Sequence, residues 1–354
     1  MRTFICNIVP NNLVAELKAS QAANNFCFNL IDHNCFDSSF SIVPTSWYHN
    51  DIKNAKNITY FSGKSNYSKV HRFLCLVFYN ILCAWKARKS EHIWFYNICF
   101  PNIICFIILS FLFKKQCNVI LLDYTPCNSK FSIQYLILSL IRHANGVIAL
   151  SQRMSLLHKN IAFKAGVIAS NKIRDIKCDE FHKNNLVFLF SGNLSKHTGF
   201  PLALEVFKDM PQSTLLISGP GNIDVNELSN YPNINYLGYL DYQEYLKMYD
   251  KVDVCLSFRN PAFPENEYNF PSKILEYFCL GKIVISTIEY PEIAGFKYLH
   301  CDYNKNAIIK VITELQNMDL HTFNAYKDNR EMLKKEFSVD SWIQTIIKIE
   351  NREK

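Results

Sequence analysis

A segment near residue 270 combines the residue types that a phosphate-binding helix start uses. Asn269–Lys282 has the sequence NFPSKILEYFCLGK. Pro271 suits the first turn of a helix, because the N–H that proline lacks would have no partner there. Ser272 and Lys273 follow at the positive end of that helix, where an anion is stabilised. The segment therefore predicts a helix whose start binds phosphate.

Glu276 lies one turn further along, on the helix face that also carries Ser272 and Lys273. A carboxylate in that position can accept two hydrogen bonds from a ribose diol while the helix start holds the phosphates. Gly281 suits the left-handed cap that ends the helix. An ordinary amphipathic helix with a solvated Glu276 accounts for the same spacing equally well, so spacing alone leaves both interpretations open.

Two earlier turns also end a predicted strand with small or polar residues. Ser191–Gly199 has the sequence SGNLSKHTG, in which the backbone N–H groups and Lys196 favour phosphate oxygens. Ser218–Asn222 has the sequence SGPGN. Its Gly-x-Gly pair is a weak signal, and taken alone it is better explained as a plain turn.

Alternating strands and helices are predicted to position these turns. In the first half the strands are Thr3–Val9, Phe26–Ile31, His92–Tyr96, Asn118–Leu122 and Val147–Leu150, and the helices are Leu13–Ala23, Ile103–Phe113, Ile133–Arg142 and one opened by Ser151. In the second half the strands are Leu186–Ser191, Thr214–Ser218, Ile234–Leu237, Asp253–Ser257 and Ile283–Thr287, and the helices are Pro201–Lys208, Tyr242–Tyr249, Ser272–Leu280, Asn304–Gln316 and Asp340–Glu350. Such alternation implies parallel α/β sheets, which bind ligands at the carboxyl ends of their strands.

Length and a break in this alternation predict two domains. The 354 residues exceed what one hydrophobic core usually spans. Residues 171–185 are mostly polar and charged without an apolar period, so we expect an interdomain linker there. The N-terminal domain is then 1–170 and the C-terminal domain 186–335. A last helix within 336–354 is expected to pack back on the N-terminal domain.

Composition favours a globular enzyme in a reducing compartment. Hydrophobic residues make up 49% and charged residues 19%, which argues against long disorder. The formal charge of +7 fits an anionic substrate or an anionic membrane surface. Because no Lys/Arg stripe with interleaved aromatics occurs, nucleic acid is not an expected partner. The 13 Cys residues are odd in number and no secretion signal is recognised, so we expect a cytoplasmic protein. No CxxC pair occurs, so structural zinc is not expected.

Three apolar runs raise the question of membrane contact. Ile98–Phe113 is shorter than the roughly 20 residues of a spanning helix and is interrupted by Pro101, so a buried helix is the favoured interpretation. Phe73–Trp85 and Phe131–Ile141 are also too short to span. Such runs can still touch a bilayer surface, as those of a monotopic enzyme do.

Four segments resemble, in order and spacing, the C-terminal half of GT-B glycosyltransferases. They are SGNLSKHTGFPLALE, LLISGPG, NINYLGYLDYQEYLKMYDKVDVCLS and NFPSKILEYFCLGKIVIST. The likeness is greatest to group 1, or family 4, enzymes and covers about Leu186 to Glu292. In the first half, Asn97, LLDYTP (Leu121–Pro126) and HANGVIALSQRM (His143–Met154) are similar more weakly. The resemblance implies two doubly wound Rossmann-like domains facing each other across a cleft, with the nucleotide-sugar donor on the C-terminal domain and the acceptor on the N-terminal one.

The resemblance also assigns roles to single residues. It implies a turn that lines the diphosphate, formed by Gly192, Asn193 and Lys196, and a turn that meets the nucleobase, formed by Gly238 and Tyr239. It also implies a phosphate-facing helix start at Pro271, Ser272 and Lys273, with Glu276 as the ribose-binding acid. Gly219 is a further expected donor-binding residue. The leaving diphosphate needs electrostatic stabilisation as the glycosidic bond breaks, which is the catalytic task of Lys273.

Some positions depart from the family pattern. The family usually has Arg where Asn193 stands and Lys where Thr198 stands, so Lys196 and Lys273 are expected to supply charge instead. His197, in the same turn, is a further residue to test.

The family's paired acids are eight positions apart, and Tyr268 stands eight before Glu276. Glu265 or Glu267 is then the candidate acid facing the sugar, and Glu267 is our catalytic candidate. A retaining outcome is implied by the resemblance alone.

Asp123 follows a predicted strand in the first half and is our catalytic candidate at the acceptor or a sugar hydroxyl. A helix or turn cap explains Asp123 equally well. Ser151 is explained more simply as the N-cap of a helix than as a functional residue.

The predicted function is hexosyl transfer from a UDP- or GDP-sugar to a glycan or lipid-linked acceptor, in bacterial capsule or O-antigen assembly. No metal and no separate cofactor is expected, and the protein is expected in the cytoplasm or peripherally at the inner membrane face. A nucleotide-sugar epimerase or hydrolase, and a degenerate GT-B binding or assembly protein, are the alternatives.

Overall fold

A computed structural model describes the chain at residues 1–49, 52–55, 57–63, 68–122, 124, 129, 132–154, 156, 158–175, 185–221, 223–240 and 242–352. The chain forms two compact units. Unit 1 comprises Met1–Ala169 and Phe337–Lys354, and unit 2 comprises Ser170–Glu336.

Unit 1 is built on a seven-stranded sheet in the order β3-β2-β1-β4-β5-β6-β7, in which every pair of neighbours is parallel. The strands are β1 Arg2–Cys6, β2 Ser38–Ile42, β3 Thr59–Phe61, β4 His92–Tyr96, β5 Gln116–Leu121, β6 Gly146–Ala149 and β7 Ile161–Phe163. The helices are α1 Gln21–Asp32, α2 Lys69–Ala87, α3 Ile103–Ile107, α4 Ile133–Arg142 and α13 Val339–Asn351. A π-helical turn, Ile108–Leu112, extends α3.

Helices cover both faces of this sheet. On one face, α1 and α13 contribute Phe26 and Trp342 to a core with Phe4 and Trp94, and the rings of Phe26 and Trp342 meet edge to face with centroids 5.2 Å apart. Phe95, the next residue of β4, points the other way and packs on Phe106 of α3. Because crossovers between parallel strands are right-handed, α2, α3 and α4 all lie on that second face.

The helix α13 is tied to unit 1 by polar contacts as well. Glu350 accepts hydrogen bonds from Arg2 Nε at 2.8 Å and from Trp94 Nε1 at 2.9 Å. Trp342 Nε1 donates to the carbonyl of Gly166 at 2.5 Å. The last helix of the chain therefore completes the core of the unit that contains the first residue.

Unit 2 is built on a six-stranded parallel sheet in the order β10-β9-β8-β11-β12-β13. The strands are β8 Val187–Ser191, β9 Thr214–Ser218, β10 Ile234–Tyr236, β11 Val254–Ser257, β12 Ile283–Ser286 and β13 Leu299–His300. The helices are α5 Phe200–Lys208, α6 Val225–Leu228, α7 Tyr242–Met248, α8 Pro264–Tyr268, α9 Lys273–Cys279, α10 Lys305–Asn317, α11 Leu320–Lys327 and α12 Arg330–Phe337.

Several predicted elements are confirmed with the same bounds, namely His92–Tyr96, Ile133–Arg142 and Thr214–Ser218. The predicted strand Phe26–Ile31 is wrong, because these residues lie in α1. Ser20 caps that helix by accepting a hydrogen bond from the N–H of Ala23 at 3.2 Å. The predicted helix Leu13–Ala23 is replaced by a 3-10 turn at Asn11–Leu13 and a later helix start.

Ser151 does not cap a helix within the described residues. Its Oγ accepts a hydrogen bond from the N–H of Arg153 at 3.1 Å, and Gln152 and Arg153 form a turn. The apolar run Ile98–Phe113 is only partly buried, since Phe111 and Leu112 are exposed while Phe106 and Leu109 are not. None of the described helices combines the length and the apolarity that crossing a bilayer requires.

Candidate functional site

The candidate site of unit 2 lies where the strand order reverses. The strands β8 and β11 are neighbours in the sheet although β9 and β10 separate them along the chain. Ser191 ends β8 and Ser257 ends β11, so their carboxyl ends share one edge. Lys273, the first residue of α9, reaches this edge through its side chain. Doubly wound sheets bind ligands at such reversals.

A hydrogen-bonded cluster surrounds the hydroxyl of Ser191. Its Oγ lies 2.9 Å from Tyr245 Oη and 3.0 Å from Tyr277 Oη, and Lys273 Nζ donates to it at 3.3 Å. Tyr249 Oη donates in turn to Tyr245 Oη. Tyr249 and Tyr277 are fully buried, whereas Lys273 keeps part of its side chain in contact with solvent. The cluster therefore holds an accessible ammonium group beside the end of β8.

The surroundings of Lys273 and Glu276 disfavour charge on both. Burial is the main cause that lowers the pKa of Lys273. The charge of Arg259 lowers this pKa too, whereas the carboxylate of Glu276 raises it. Burial raises the pKa of Glu276, while Lys273 and Lys172 lower it. Both groups are therefore poorly hydrated, and a bound ligand can replace the missing solvent. Lys273 suits an anion, and Glu276 suits a pair of hydroxyl donors.

Arg259 is a second cation at this edge, and the sequence analysis missed it. It lies two residues after β11, and its Nη1 donates to the side-chain oxygen of Asn266 at 3.0 Å. Burial lowers the pKa of Arg259, and its charge lowers the pKa of Lys273 in turn. Two partly buried cations thus lie near enough for one to lower the pKa of the other, an arrangement that a diphosphate would neutralise. The sequence does carry one signal for Arg259, because it is a cation that stands two residues after the predicted strand Asp253–Ser257.

Asn266, on α8, joins the turns that follow the two strands. Its side chain is fully buried. Its Nδ2 lies 2.9 Å from the carbonyl oxygen of His197 and 2.8 Å from that of Asn260. His197 follows β8 and Asn260 follows β11, so one amide group fixes both turns. Because the same amide accepts from Arg259, it also fixes the guanidinium.

The turn after β8 is closed by Thr198. Its Oγ1 donates to the carbonyl of Asn193 at 2.5 Å and accepts from the N–H of Ser195 at 3.2 Å. The side chains of Asn193 and Lys196 are exposed. Thr198 thus has a local structural role, and the partly buried positive charge comes from α9 and from the end of β11.

The turns after β8, β9 and β10 are joined backbone to backbone. The N–H of Gly192 donates to Ser218 at 2.9 Å, and the N–H of Gly219 donates to Gly238 at 3.0 Å. Gly219 has a φ of +139°, and a Cβ there would lie 1.9 Å from the oxygen of Gly192. Tyr239 follows with 81% of its surface exposed. The predicted diphosphate and nucleobase turns therefore lie side by side.

The start of α9 differs from the predicted anion-binding helix start. The helix begins at Lys273, and the preceding Ser272 makes no capping hydrogen bond through its side chain. The N–H groups of Ile274 and Leu275 donate to the carbonyls of Pro271 and Ser272 at 3.0 and 3.1 Å. Two N–H groups of the first turn are thus already paired. An anion at this position would therefore meet chiefly the Lys273 side chain.

The candidate carboxylates of α8 are both exposed. Glu265 and Glu267 lie on this five-residue helix, which the sequence did not predict. Burial and the charge of Arg259 lower the pKa of His197, and the nearby carboxylate of Glu265 raises it. Asp123 lies outside the described residues and stays a prediction.

Solved structures match almost the entire chain at low sequence identity. No family model matches the sequence, and no curated protein matches it either. Sucrose-phosphate synthase from Thermosynechococcus elongatus has a TM-score of 0.69 at 13% identity, with 99% of each chain covered. Anabaena HepE in complex with UDP and glucose has a TM-score of 0.64 at 13% identity, with 98% of each covered. The lipopolysaccharide outer core galactosyltransferase WaaB has a TM-score of 0.64 at 12% identity, with 99% of each covered.

The chain has the GT-B fold. The fold class predicted from four ordered motifs, with two doubly wound Rossmann-like sheets, is thereby confirmed. Each sheet of this GT-B chain reverses its order once, between β1 and β4 and between β8 and β11. The cluster around Ser191 lies at the second of these reversals.

Proposed function

We propose that the chain is a glycosyltransferase that moves a sugar from a nucleotide-diphosphate sugar to a glycan or lipid-linked glycan. The observation that carries this proposal is the presence of two embedded cations, Lys273 and Arg259, with the carboxylate of Glu276 at the strand-order reversal of unit 2. A nucleoside diphosphate offers both an anion for the cations and a ribose diol for the carboxylate.

In the proposed reaction, an acceptor hydroxyl forms a bond to the anomeric carbon of the donor sugar. The bond from that carbon to the diphosphate oxygen breaks, its electron pair stays on the diphosphate, and the proton of the acceptor hydroxyl passes to solvent. The charge that develops on the leaving oxygen is stabilised by Lys273 and Arg259 in poorly hydrated surroundings. Because these side chains neutralise the diphosphate, we propose a metal-independent reaction without a separate cofactor.

Glu276 would accept hydrogen bonds from both ribose hydroxyls. Its pKa is raised by burial, and donors on the carboxylate would favour the charged form and lower that pKa again. Gly238 and the exposed Tyr239 would contact the nucleobase, while Gly192 and Gly219 bring the backbone to the diphosphate. HepE was solved with UDP and glucose, which supports a UDP-sugar as the donor.

The stereochemistry of the sugar transfer is part of the same proposal. We propose retention of the anomeric configuration, which follows from the resemblance, with Glu267 or its neighbour Glu265 facing the sugar.

Unit 1 would bind the acceptor, with Asp123 as its candidate polar contact. The biological setting would be bacterial surface polysaccharide assembly in the cytoplasm, peripherally at the inner membrane face. The similarity in fold to the lipopolysaccharide outer core galactosyltransferase WaaB supports this setting.

A donor screen tests the proposal. The chain is heated with UDP-, GDP- and dTDP-sugars, and the binding donor raises its apparent stability. At about 100 times Kd, that gain is roughly 2.7 kcal/mol. The binding donor is then incubated with and without a lipid-linked glycan, and products are followed by NMR.

The free nucleoside diphosphate of that donor and an extended glycan, both appearing only with acceptor, support the transferase. An epimer or free sugar formed without acceptor would identify an epimerase or hydrolase instead. A chain that binds no nucleotide sugar in the panel would be a degenerate GT-B protein, and the proposal would be wrong.

A further inference from the structure

One face of unit 1 exposes an unusual number of apolar side chains. Of the nineteen large apolar side chains that are exposed in the described residues, thirteen lie on α2, on residues 100–112 and on α4. They are Val70, Phe73, Leu74, Phe78, Ile81, Trp85, Phe100, Ile107, Phe111, Leu112, Ile133, Tyr135 and Leu136. We call these thirteen residues the apolar face. Large exposed patches of this kind mark interaction surfaces.

The apolar face is continuous within unit 1. On α2 its members at 70, 74, 78, 81 and 85 follow the three-to-four spacing of one helix stripe. The rings of Phe73 and Phe100 are 6.4 Å apart, which joins α2 to the segment before α3. Phe111 in turn lies 6.1 Å from the ring of His143, which ends α4. The three elements also share one side of the sheet, as their right-handed crossovers require.

Positive charge is concentrated in the same stretch of chain. Between Ser68 and Ala149 there are nine Lys or Arg residues and two Asp or Glu residues, an excess of seven. This equals the formal charge of +7 for the whole chain, so the remaining residues balance to zero. Arg88 stacks 3.4 Å from the ring centre of Trp85, and Lys114 follows directly after Phe113. Cations therefore lie at the margins of the apolar face.

We propose that the apolar face docks on the surface of an anionic lipid bilayer. Its aromatic and aliphatic side chains would enter the boundary between headgroups and acyl chains, and the marginal cations would meet lipid phosphates. The inference rests on the membrane-face location in the proposed function and is independent of the donor chemistry. A second copy of the chain is a poorer occupant, because a two-fold contact would bring two sets of like charges together.

Vesicle flotation of the full chain, without nucleotide sugar, tests the inference. Phosphatidylcholine vesicles are compared with vesicles that also contain phosphatidylglycerol, at low and high salt. We expect binding to the anionic vesicles, weakened by salt as the charges are screened. The triple variant Leu74→Ser/Phe78→Ser/Trp85→Ser and the double variant Lys89→Glu/Lys114→Glu should each reduce that binding at least tenfold.

Matched variants in unit 2 serve as controls. Val225→Ser/Leu320→Ser removes exposed apolar side chains there, and Lys310→Glu/Lys334→Glu reverses exposed charges there. Neither should change vesicle binding. The triple variant of the apolar face and the double variant of its marginal lysines alter different side chains. If one of them fails to fold, the other still tests the inference.

Three outcomes would overturn the inference. They are no flotation of the wild type, equal binding to zwitterionic vesicles, and equal binding by the variants of the apolar face. Sedimentation velocity without lipid addresses the other occupant, since a dimer that the triple variant dissociates would make a second copy the partner. UDP binding is measured on every variant, so failure of the donor site and failure of the membrane surface are separate results.

Discussion

Lys273 Nζ, at the first residue of α9, donates a hydrogen bond to Ser191 Oγ at the carboxyl end of β8, with the two atoms 3.3 Å apart. The contact joins elements that are 82 positions apart in the chain. Two tyrosine hydroxyls hold Ser191 Oγ from other sides, so the ammonium group is positioned before any ligand arrives. Such preorganisation reduces the cost of ordering a long side chain when a ligand binds.

Lys273→Ala should weaken UDP binding. A hydrogen bond to a charged group contributes about 1.5–3 kcal/mol, so the loss in affinity should be roughly tenfold to a hundredfold. Calorimetry of UDP binding measures it. Lys310→Ala removes an exposed lysine elsewhere in unit 2 and is the matched control. Equal affinities of the wild type and Lys273→Ala would remove Lys273 from the donor site.

The affinity for UDP should fall as pH rises through the lowered pKa of Lys273. Burial lowers this pKa from its ordinary value of 10.5. In the proposed site, UDP would bind the protonated form. The affinity is therefore fully present below the lowered pKa and declines at a pH where an ordinary lysine would still be charged. Calorimetry across the alkaline range follows the decline. Lys273→Arg should lack this component, because a guanidinium does not titrate there.

Glu276→Gln should reduce the preference for ribose over deoxyribose. A carboxylate accepts hydrogen bonds from both ribose hydroxyls, whereas an amide has only one acceptor oxygen. The wild type should bind UDP more tightly than 2′-deoxy-UDP, with the two affinities converging in the variant. Competition binding with both nucleotides measures the difference. A preference that survives unchanged in Glu276→Gln would place the ribose elsewhere.

Gly219→Ala should destabilise unit 2 much more than Gly238→Ala. Both residues have positive φ, +139° and +73°, but only at Gly219 would a Cβ meet backbone, 1.9 Å from Gly192 O. We expect a loss of about 3 kcal/mol or more at Gly219, from strain and overpacking. At Gly238, where a Cβ has open space, about 1–2 kcal/mol is expected from the backbone alone. Urea unfolding of the two variants gives the comparison.

The fold was predictable wherever apolar spacing is unambiguous. Ile133–Arg142 and Thr214–Ser218 have the bounds that their patterns predict. The strand predicted at Phe26–Ile31 is wrong because a short, mainly apolar segment fits a strand or a buried helix alike, and the cap at Ser20 decides between them. In α2 the outward side chains are apolar as well, which obscures the usual contrast between its faces.

The site was predictable only in part. The motifs identified Lys273 and Glu276, because both lie in one short segment of sequence. Arg259 was missed, although it follows the predicted strand Asp253–Ser257, because its proximity to Lys273 arises from the folded arrangement of β11 and α9 and not from a shared motif. The family pattern suggests lost charges at Thr198 and Asn193, whereas the structure shows that the hydroxyl of Thr198 donates to the carbonyl of Asn193 and closes the turn.

Arg259→Gln should weaken diphosphate binding selectively. The guanidinium lies at the end of β11 and is held by the side-chain oxygen of Asn266, so it is positioned for phosphate oxygens. We expect UDP affinity to fall roughly tenfold or more, as for other charge-assisted contacts, while uridine affinity changes little. Calorimetry with UDP and with uridine separates the two effects.

Arg259→Lys is the informative companion variant. It keeps the charge but loses the planar fork that can bind two phosphate oxygens while donating to Asn266. An intermediate UDP affinity is therefore expected, above that of Arg259→Gln and below that of the wild type. If Arg259→Gln instead weakened UDP and uridine equally, Arg259 would act through the fold of the turn rather than through phosphate. Loss of the buried contacts of Asn266 would then be the cause, and thermal unfolding of the variant would show it.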